Sequence, residues 1–174
     1  MSVCEKIAEA ITGAGETKKI VEVGPGTGAL TQYLMKLPFE TSVVEVDDES
    51  VAYLNAYFPA LRGRIYEEDF LRMNLKERFG DNFCVVGNFP YNISSQIVFK
   101  VVDHMDQVPE LVGMFTHAAG LESNGLRWAW QHEGEEPGCA RLYLNTGAWF
   151  DWTTGWYERY CVEGSWVVMK GWST

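Results

Sequence analysis

Several features of membrane, redox and metal proteins are missing from this sequence. No window reaches the ~18 uninterrupted apolar residues of a membrane-spanning helix. Residues 1–9 carry charge and lack the apolar core of a signal peptide, so we expect a cytoplasmic protein without a membrane partner. The four cysteines form no C-x-x-C pair, and the three histidines lack metal-ligand spacing. We therefore predict neither a redox centre nor a metal site.

Basic residues are also scarce. The 174 residues include 14 Lys and Arg against 24 Asp and Glu, which gives a formal net charge of −10. Proteins that bind nucleic acid gain much of their affinity from Lys and Arg on phosphates, so this charge counts against an RNA or DNA partner. The length is sufficient for one domain with a real core, and the apolar content of 47% is ordinary for a globular protein.

Tryptophan does not occur before Trp128, and all seven tryptophans lie from there onward. This shift in composition predicts a boundary near Thr116, between a core of residues 1–115 and a Trp- and Gly-rich tail of residues 116–174. The tail opens with a polar stretch at residues 118–138. Two β-like segments follow, and we expect them to complete the sheet of the core as an antiparallel hairpin. These segments are residues 141–150 and 156–170.

The core alternates helix-like and strand-like patterns. Apolar residues at helical spacing and short apolar runs follow one another from residue 3 to residue 115. This alternation predicts an α/β, Rossmann-like fold with a mostly parallel sheet and right-handed crossovers. The predicted helices are residues 3–12, 29–35, 48–57 and 94–103, and the predicted strands are residues 19–23, 41–46, 64–66, 82–87 and 110–115.

A glycine-rich turn, Glu-Val-Gly-Pro-Gly-Thr-Gly at residues 22–28, joins the first predicted strand to the next helix. Glycine suits this place because the backbone turns sharply and must approach a ligand closely. The G-x-G-x-G spacing differs from that of nicotinamide enzymes and from a P-loop. A purely structural tight turn is the alternative. The candidate cofactor-binding residues of this segment are Glu22, Gly24, Gly26 and Gly28.

Acidic residues follow the second and third predicted strands. Glu45 lies 21 residues after Gly24, where a carboxylate can accept hydrogen bonds from both hydroxyls of a ribose. Asp69 is placed to accept from the amino group of an adenine, with Phe70 against the ring face. Each acid alone is more often a solvated residue or a helix cap. Their joint occurrence at successive strand ends favours a nucleoside cofactor.

The segment Gly-Asn-Phe-Pro-Tyr-Asn-Ile-Ser-Ser at residues 87–95 follows the fourth predicted strand. An exocyclic adenine amine is a poor nucleophile because its lone pair is delocalised into the ring. The side-chain carbonyl of Asn88 and a backbone carbonyl near Phe89 or Pro90 can accept both amine hydrogens. Tyr91 offers a ring on which the base can stack. The alternative is an ordinary Asn-Pro turn.

Together, the glycine turn, the Glu45 strand, Glu-Asp-Phe-Leu at residues 68–71 and Gly-Asn-Phe-Pro-Tyr-Asn-Ile-Ser-Ser resemble the ribosomal RNA adenine N6,N6-dimethyltransferases. Asn-Phe-Pro-Tyr favours this family over methyltransferases with Asn-Pro-Pro-Tyr, which act on glutamine or on DNA adenine. The resemblance implies S-adenosylmethionine as cofactor and two adjacent adenines of small-subunit ribosomal RNA as substrate. It implies cofactor contacts from Gly24, Glu45, Asp69 and Asn88, and adenine contacts from Asn88, Pro90 and Tyr91.

The resemblance covers about residues 3–115 and stops in the tail. The Gln-x-Phe-Leu segment of the family has no counterpart before the first helix, so we expect an incomplete cofactor lid. The basic C-terminal helical domain of the family has none either, since acidic residues outnumber Lys and Arg in residues 116–174. Residues 141–149 and 160–164 weakly resemble the closing strands of calcineurin-like metallophosphoesterases, without the metal motifs of those enzymes.

Two functions follow from the sequence. The first is S-adenosylmethionine-dependent methyl transfer to adenine N6 of small-subunit ribosomal RNA. The second is a non-catalytic module that binds the cofactor or a protein partner, as in a chimeric or truncated methyltransferase. The residues 88–91 favour the first, and the acidic charge and unmatched tail favour the second.

Overall fold

The computed structural model of the chain describes residues 2–13, 16–89, 93–104 and 106–115, together with five short strands beyond them. The helices of these residues are α1 Val3–Ala10, α2 Thr31–Leu34, α3 Asp48–Tyr57, α4 Leu75–Phe79 and α5 Ser94–Val102, with a 3₁₀ turn at Pro59–Leu61. The strands are β1 Lys19–Val23, β2 Glu40–Val44, β3 Ile65–Tyr66, β4 Phe83–Asn88, β5 Glu110–Phe115, β6 Asn124–Ala129, β7 Arg141–Leu144, β8 Trp149–Asp151, β9 Cys161–Val162 and β10 Ser165–Trp166.

Eight of these strands form one sheet in the order β3-β2-β1-β4-β5-β6-β7-β8. The pairs from β3 to β5 are parallel, whereas β6, β7 and β8 pair antiparallel to their neighbours. The predicted α/β class with a mostly parallel sheet is confirmed. The segments that connect β6, β7 and β8, and the predicted boundary at Thr116, lie outside the described residues. The predicted domain division and closing hairpin therefore stay predictions.

The predicted elements of the core occur in the structure with small shifts at their ends. β5 has the predicted bounds, and α3 begins after Asp47, whose side chain accepts a hydrogen bond from the Ser50 backbone N–H as a helix cap. α2 is shorter than predicted, because residues 29, 30 and 35 have turn rather than α-helical hydrogen bonding. Two short elements, α4 and the 3₁₀ turn, were not predicted, because one helical turn has too few residues to show a periodicity. β6 lies in the polar stretch of residues 118–138, where no strand was predicted; its antiparallel pairing with β5 defines it.

Both faces of the sheet are covered by apolar side chains. In β4, Phe83 and Val85 belong to one buried cluster, whereas Cys84 and Val86 belong to the other. The first cluster includes residues of α4 and α5, and the second includes residues of α1 and α2. A strand buried on both faces shows a continuous apolar run rather than alternation, which explains the pattern of β4.

Within the described residues, no helix combines the length and the apolar character needed to cross a bilayer. Nor do these described residues bring together three His, Cys, Asp or Glu side chains that could hold a metal ion.

A buried carboxylate ties the start of the chain to the last parallel strand. Glu110, the first residue of β5, is fully buried. Its carboxylate accepts hydrogen bonds from the Thr12 N–H at 3.0 Å, the Thr12 hydroxyl at 2.8 Å and the Gly13 N–H at 3.0 Å. The turn that follows α1 is therefore held against the amino end of β5.

Replacing this carboxylate should destabilise the fold. We expect Glu110→Ala to lower the free energy of unfolding by roughly 2–4 kcal/mol, since the Thr12 and Gly13 donors lose this acceptor and a cavity replaces a fully buried side chain. Glu40→Ala is the matched control, because Glu40 also begins a parallel strand but is exposed. The control should change stability by no more than ~0.5 kcal/mol in urea denaturation. Equal losses in the two variants would contradict the anchoring role of Glu110.

Candidate cofactor site

The carboxyl ends of three neighbouring parallel strands meet at one edge of the sheet. Val23, the last residue of β1, pairs with Val44, the last residue of β2. On the other side of β1, Glu22 pairs with Val86 of β4, and β4 continues to Asn88. The glycine turn, Glu45 and Asn88 therefore leave the sheet at the same edge, where open α/β sheets bind their ligands.

A cavity of about 270 Å³ opens at this edge. Its walls include four of the predicted cofactor residues, Gly24, Glu45, Asp69 and Phe70. This volume is slightly below the ~300–1,000 Å³ of typical small-molecule pockets. Seven lining residues were not predicted from the sequence as site residues, and six of them are apolar: Val23, Val44, Val46, Glu68, Leu71, Ile93 and Ile97. Their proximity to a strand end or to the residue 87–95 segment is the sequence feature that could have indicated them.

The three glycines of the turn are required for two different reasons. Gly24 and Gly26 have φ of +69° and +54°, and a Cβ added to either would meet no atom within 4 Å. Each therefore leaves open space beside the turn, and of the two only Gly24 lines the cavity. Gly28 is buried, and a Cβ there would lie 2.5 Å from the Phe58 ring. Packing against Phe58 accounts for Gly28, and its predicted contact with a cofactor stays a prediction.

The Glu45 carboxylate is held in place by backbone donors. Its Oε1 accepts hydrogen bonds from the Val46 N–H at 2.8 Å and the Asp47 N–H at 3.1 Å, and its Oε2 accepts from the Gly26 N–H at 3.0 Å. The side chain thus connects the end of β2 to the glycine turn. Since each carboxylate oxygen has two lone pairs, Oε2 retains an acceptor site for a ligand hydroxyl.

The Asp69–Phe70 loop is fastened from two sides. The Asp69 carboxylate accepts from the Leu71 N–H at 2.9 Å and forms an exposed ion pair with Arg72. Lys100 of α5 donates to the Phe70 carbonyl oxygen at 2.6 Å and to the Met73 carbonyl oxygen at 2.5 Å. Burial lowers the pKa of Lys100, and the Asp69 charge opposes that shift. These bonds fix the loop that forms one wall of the cavity.

Lys100 was not identified from the sequence. It lies three residues after Ile97, so helical periodicity places it on the same face of α5 as a buried residue. A lysine at such a position is the pattern that could have revealed it.

Glu22 lies under the glycine turn and does not line the cavity. The side chain is 1% exposed and accepts a hydrogen bond from the Thr31 hydroxyl at 2.7 Å. Burial raises the pKa of Glu22 to about 7; the Glu45 charge adds to the rise, and the Thr31 hydrogen bond opposes it. The described contacts show Glu22 supporting the turn between β1 and α2. Its predicted direct contact with a cofactor stays a prediction.

Only one of the three predicted catalytic residues is described. Asn88 ends β4 at an exposed position, and the next residue, Phe89, is buried. Asn88 is not among the lining residues of the cavity, although it leaves the sheet beside them. Pro90 and Tyr91 lie outside the described residues.

The comparison with known protein families agrees with this geometry. Residues 1–119 match the sequence model of the family described as ribosomal RNA adenine dimethylase. The chain belongs to that family. The resemblance predicted from residues 3–115 is therefore confirmed, whereas the likeness of the tail to metallophosphoesterases stays a prediction.

Curated relatives in this family are about twice as long as the matching region. The chain is 46% identical over 114 residues to ribosomal RNA small subunit methyltransferase A of Cytophaga hutchinsonii, covering 65% of this chain and 44% of the relative. For the protein of the same name from Parabacteroides distasonis, identity is 52% over 112 residues, with coverages of 63% and 42%. The match thus spans less than half the length of these relatives.

Solved structures share the fold. The 23S rRNA methyltransferase ErmE aligns with a TM-score of 0.54 and 24% identity, covering 64% of this chain and 44% of that one. An RNA methyltransferase from Salinibacter ruber, solved in complex with S-adenosyl-L-homocysteine, aligns with a TM-score of 0.54 and 15% identity, covering 77% and 94%. The fold is that of the S-adenosylmethionine-dependent methyltransferases.

The buried Glu22 should make the stability of the protein depend on pH. Its folded pKa of about 7 lies above its ordinary value of 4.5, so the folded state holds the proton more tightly than the unfolded state. This preferential proton binding stabilises the folded state at acid pH, and the stabilisation is lost as the pH rises through about 7. Relative to Glu22→Gln, the wild-type protein should lose roughly 2–3 kcal/mol of unfolding free energy between pH 5 and pH 8.

Urea denaturation at several pH values measures this difference. Glu22→Gln keeps an oxygen that can accept from Thr31, and Glu9→Gln, at an exposed position of α1, is the control. The control should follow the wild-type pH dependence. Parallel curves for wild type and Glu22→Gln would show that Glu22 does not titrate in this range.

Proposed function

We propose that this protein transfers methyl groups from S-adenosylmethionine to N6 of adenine in small-subunit ribosomal RNA, in the cytoplasm. The observation that carries the proposal is the cavity lined by Gly24, Glu45, Asp69 and Phe70, with Asn88 at the end of a neighbouring strand. Membership of the ribosomal RNA adenine dimethylase family, and the names of the curated relatives, support the same substrate.

The residues of the cavity suit the nucleoside part of this cofactor. Gly24 and Gly26 leave open space where a bound ligand needs close approach to the backbone. Glu45 Oε2 has acceptor capacity for a ribose hydroxyl. Phe70, held by its Lys100 contacts, offers a fixed apolar wall for the adenine ring, and Asp69 offers an acceptor for its amino group. When bound, S-adenosylmethionine supplies an electrophilic methyl group on a positively charged sulfur.

Asn88 is proposed to orient the target amine. Its side-chain carbonyl accepts one amine hydrogen, and a backbone carbonyl near Phe89 or Pro90 accepts the other, so that the nitrogen lone pair faces the methyl group. Tyr91 is proposed to stack on the target base. No strong general base is needed, because the new bond forms before the proton leaves. Orientation of the two reactants then provides much of the rate enhancement.

A non-catalytic binding module is the second candidate. The formal net charge of −10 favours it, because an acidic surface repels RNA phosphates. Such a module would keep the cofactor cavity and lack methyl transfer.

Two substitutions separate cofactor binding from transfer. We expect Glu45→Gln to weaken S-adenosylmethionine binding by about 10-fold, since it removes the charged acceptor at the cavity. Asn88→Ala should weaken binding by no more than ~10-fold while lowering methyl transfer by at least ~100-fold. Calorimetry measures the binding, and incorporation of labelled methyl into immature small ribosomal subunits measures the transfer.

Glu49→Gln is the matched control, because Glu49 lies in the exposed first turn of α3 and does not line the cavity. The control should leave both measurements unchanged. Absence of binding at millimolar S-adenosylmethionine would contradict methyl transfer and the cofactor-binding form of the module. Binding by the wild-type protein without any transfer would favour the binding module, and transfer that survived Asn88→Ala would show that the active site lies elsewhere.

A further inference from the structure

We propose that Gly113 and Phe89 together position Asn88, through an aromatic ring seated in a slot between two glycines. This inference rests on the proposed function, because it assigns residues that act on the adenine-orienting segment rather than on the adenine itself. In this role the Phe89 ring and Gly113 act through Asn88 rather than on the reactants, so both are positioning groups.

The slot is formed by paired glycines on adjacent strands. Gly87 of β4 and Gly113 of β5 are direct partners in the parallel register. A Cβ on Gly87 would lie 2.6 Å from Phe89 Cε1, and a Cβ on Gly113 would lie 2.2 Å from Phe89 Cε2. The two opposite edges of one ring therefore occupy the space where the two missing side chains would be.

The ring is fully enclosed at this place. Phe89 is 3% exposed and belongs to the same buried cluster as Val85, Ile97 and the cavity-lining Phe70. Protein interiors are close-packed, so a ring in such a slot cannot slide without moving its neighbours. The ring thus connects the end of β4 to the core beneath the cavity.

Asn88 is adjacent to this anchor in the chain. It lies at the exposed end of β4, where one further backbone pair, with Met114, continues the strand. Seating the Phe89 ring fixes the backbone on the other side of Asn88. Residue 88 is then held on both sides along the chain, as orientation of a weakly nucleophilic amine requires.

Gly113 is the better residue to change. A Cβ on Gly87 would also come within 2.7 Å of the Val23 carbonyl oxygen, so Gly87→Ala disturbs β1 directly. On Gly113 the closest contacts are with the Phe89 ring, and the nearest backbone atom, the Gly87 carbonyl oxygen, is 2.9 Å away. Gly113→Ala therefore acts first on the ring.

The test compares four variants by two measurements. Gly113→Ala pushes the ring out, Phe89→Leu empties part of the slot, and the double variant Gly113→Ala/Phe89→Leu fits a smaller side chain against the new methyl group. Phe79→Leu is the control, because Phe79 is a buried phenylalanine of the same cluster that packs on Tyr66 and Phe83 instead. The measurements are the Asn88 amide resonances in ¹H–¹⁵N NMR spectra and methyl transfer at saturating S-adenosylmethionine.

We expect Gly113→Ala and Phe89→Leu to shift or broaden the Asn88 resonances and to lower transfer by about 10- to 100-fold, with S-adenosylmethionine affinity within about twofold of wild type. The double variant should recover part of the wild-type Asn88 resonances and part of the methyl transfer. Phe79→Leu should change neither the resonances nor the transfer. If Gly113→Ala does not fold, Phe89→Leu against Phe79→Leu gives the same comparison.

Unchanged Asn88 resonances in the slot variants, or equal effects from Phe79→Leu, would overturn the inference. A wild-type protein that binds S-adenosylmethionine but transfers no methyl group would count against the proposed function alone. The NMR comparison would still decide whether the slot positions Asn88.

Discussion

The parallel pairing of β1 with β2 on one side and β4 on the other is the constraint on which this structure depends. Because these three strands run in the same direction and end within two residues of each other in register, their carboxyl ends deliver Gly24, Glu45 and Asn88 to one edge. An antiparallel partner at any of these places would send the corresponding side chain to the opposite edge. The apolar layers on both faces make this arrangement rigid, because each strand is packed from two sides.

Around that edge, charged side chains form hydrogen bonds with backbone groups of neighbouring segments. Glu45 accepts from Gly26 and from its own successor residues, so the turn and the strand end keep a fixed spacing. Lys100 does the same for the Phe70 loop from the opposite side. A cavity lined in this way is largely preformed, and binding then costs little ordering of the protein. The protein is acidic overall, so this preorganisation serves a ligand with a cationic centre better than it serves a polyanion.

The sequence was informative wherever a residue type and its position along a strand decided the outcome. The α/β class, the bounds of β5, and the placement of Gly24, Glu45 and Asp69 around one cavity agree with such reasoning. Sequence reasoning failed where the role of a residue depends on a contact with a residue far away in the sequence. Gly28 is explained by Phe58, and the burial of Glu110 is explained by Thr12. The sequence places Gly113 in a strand but does not show why it must be glycine. The reason is the Phe89 ring, which occupies the space that a Cβ on residue 113 would need. Local sequence patterns contain no information about neighbours that lie far apart in the sequence.

The hydrogen bonds between Glu110 and the turn after α1 join positions 98 residues apart in the chain. During synthesis, α1 leaves the ribosome long before its anchor does, since translation adds only about 5–20 residues each second. For several seconds, therefore, the turn after α1 exists without the Glu110 carboxylate that holds it in the folded protein. α1 can pack on α2 and β1 as soon as these are made, whereas the turn after it is fixed only when Glu110 arrives. The amino-terminal part of the fold is therefore completed by one of the last residues of the parallel sheet to be synthesised.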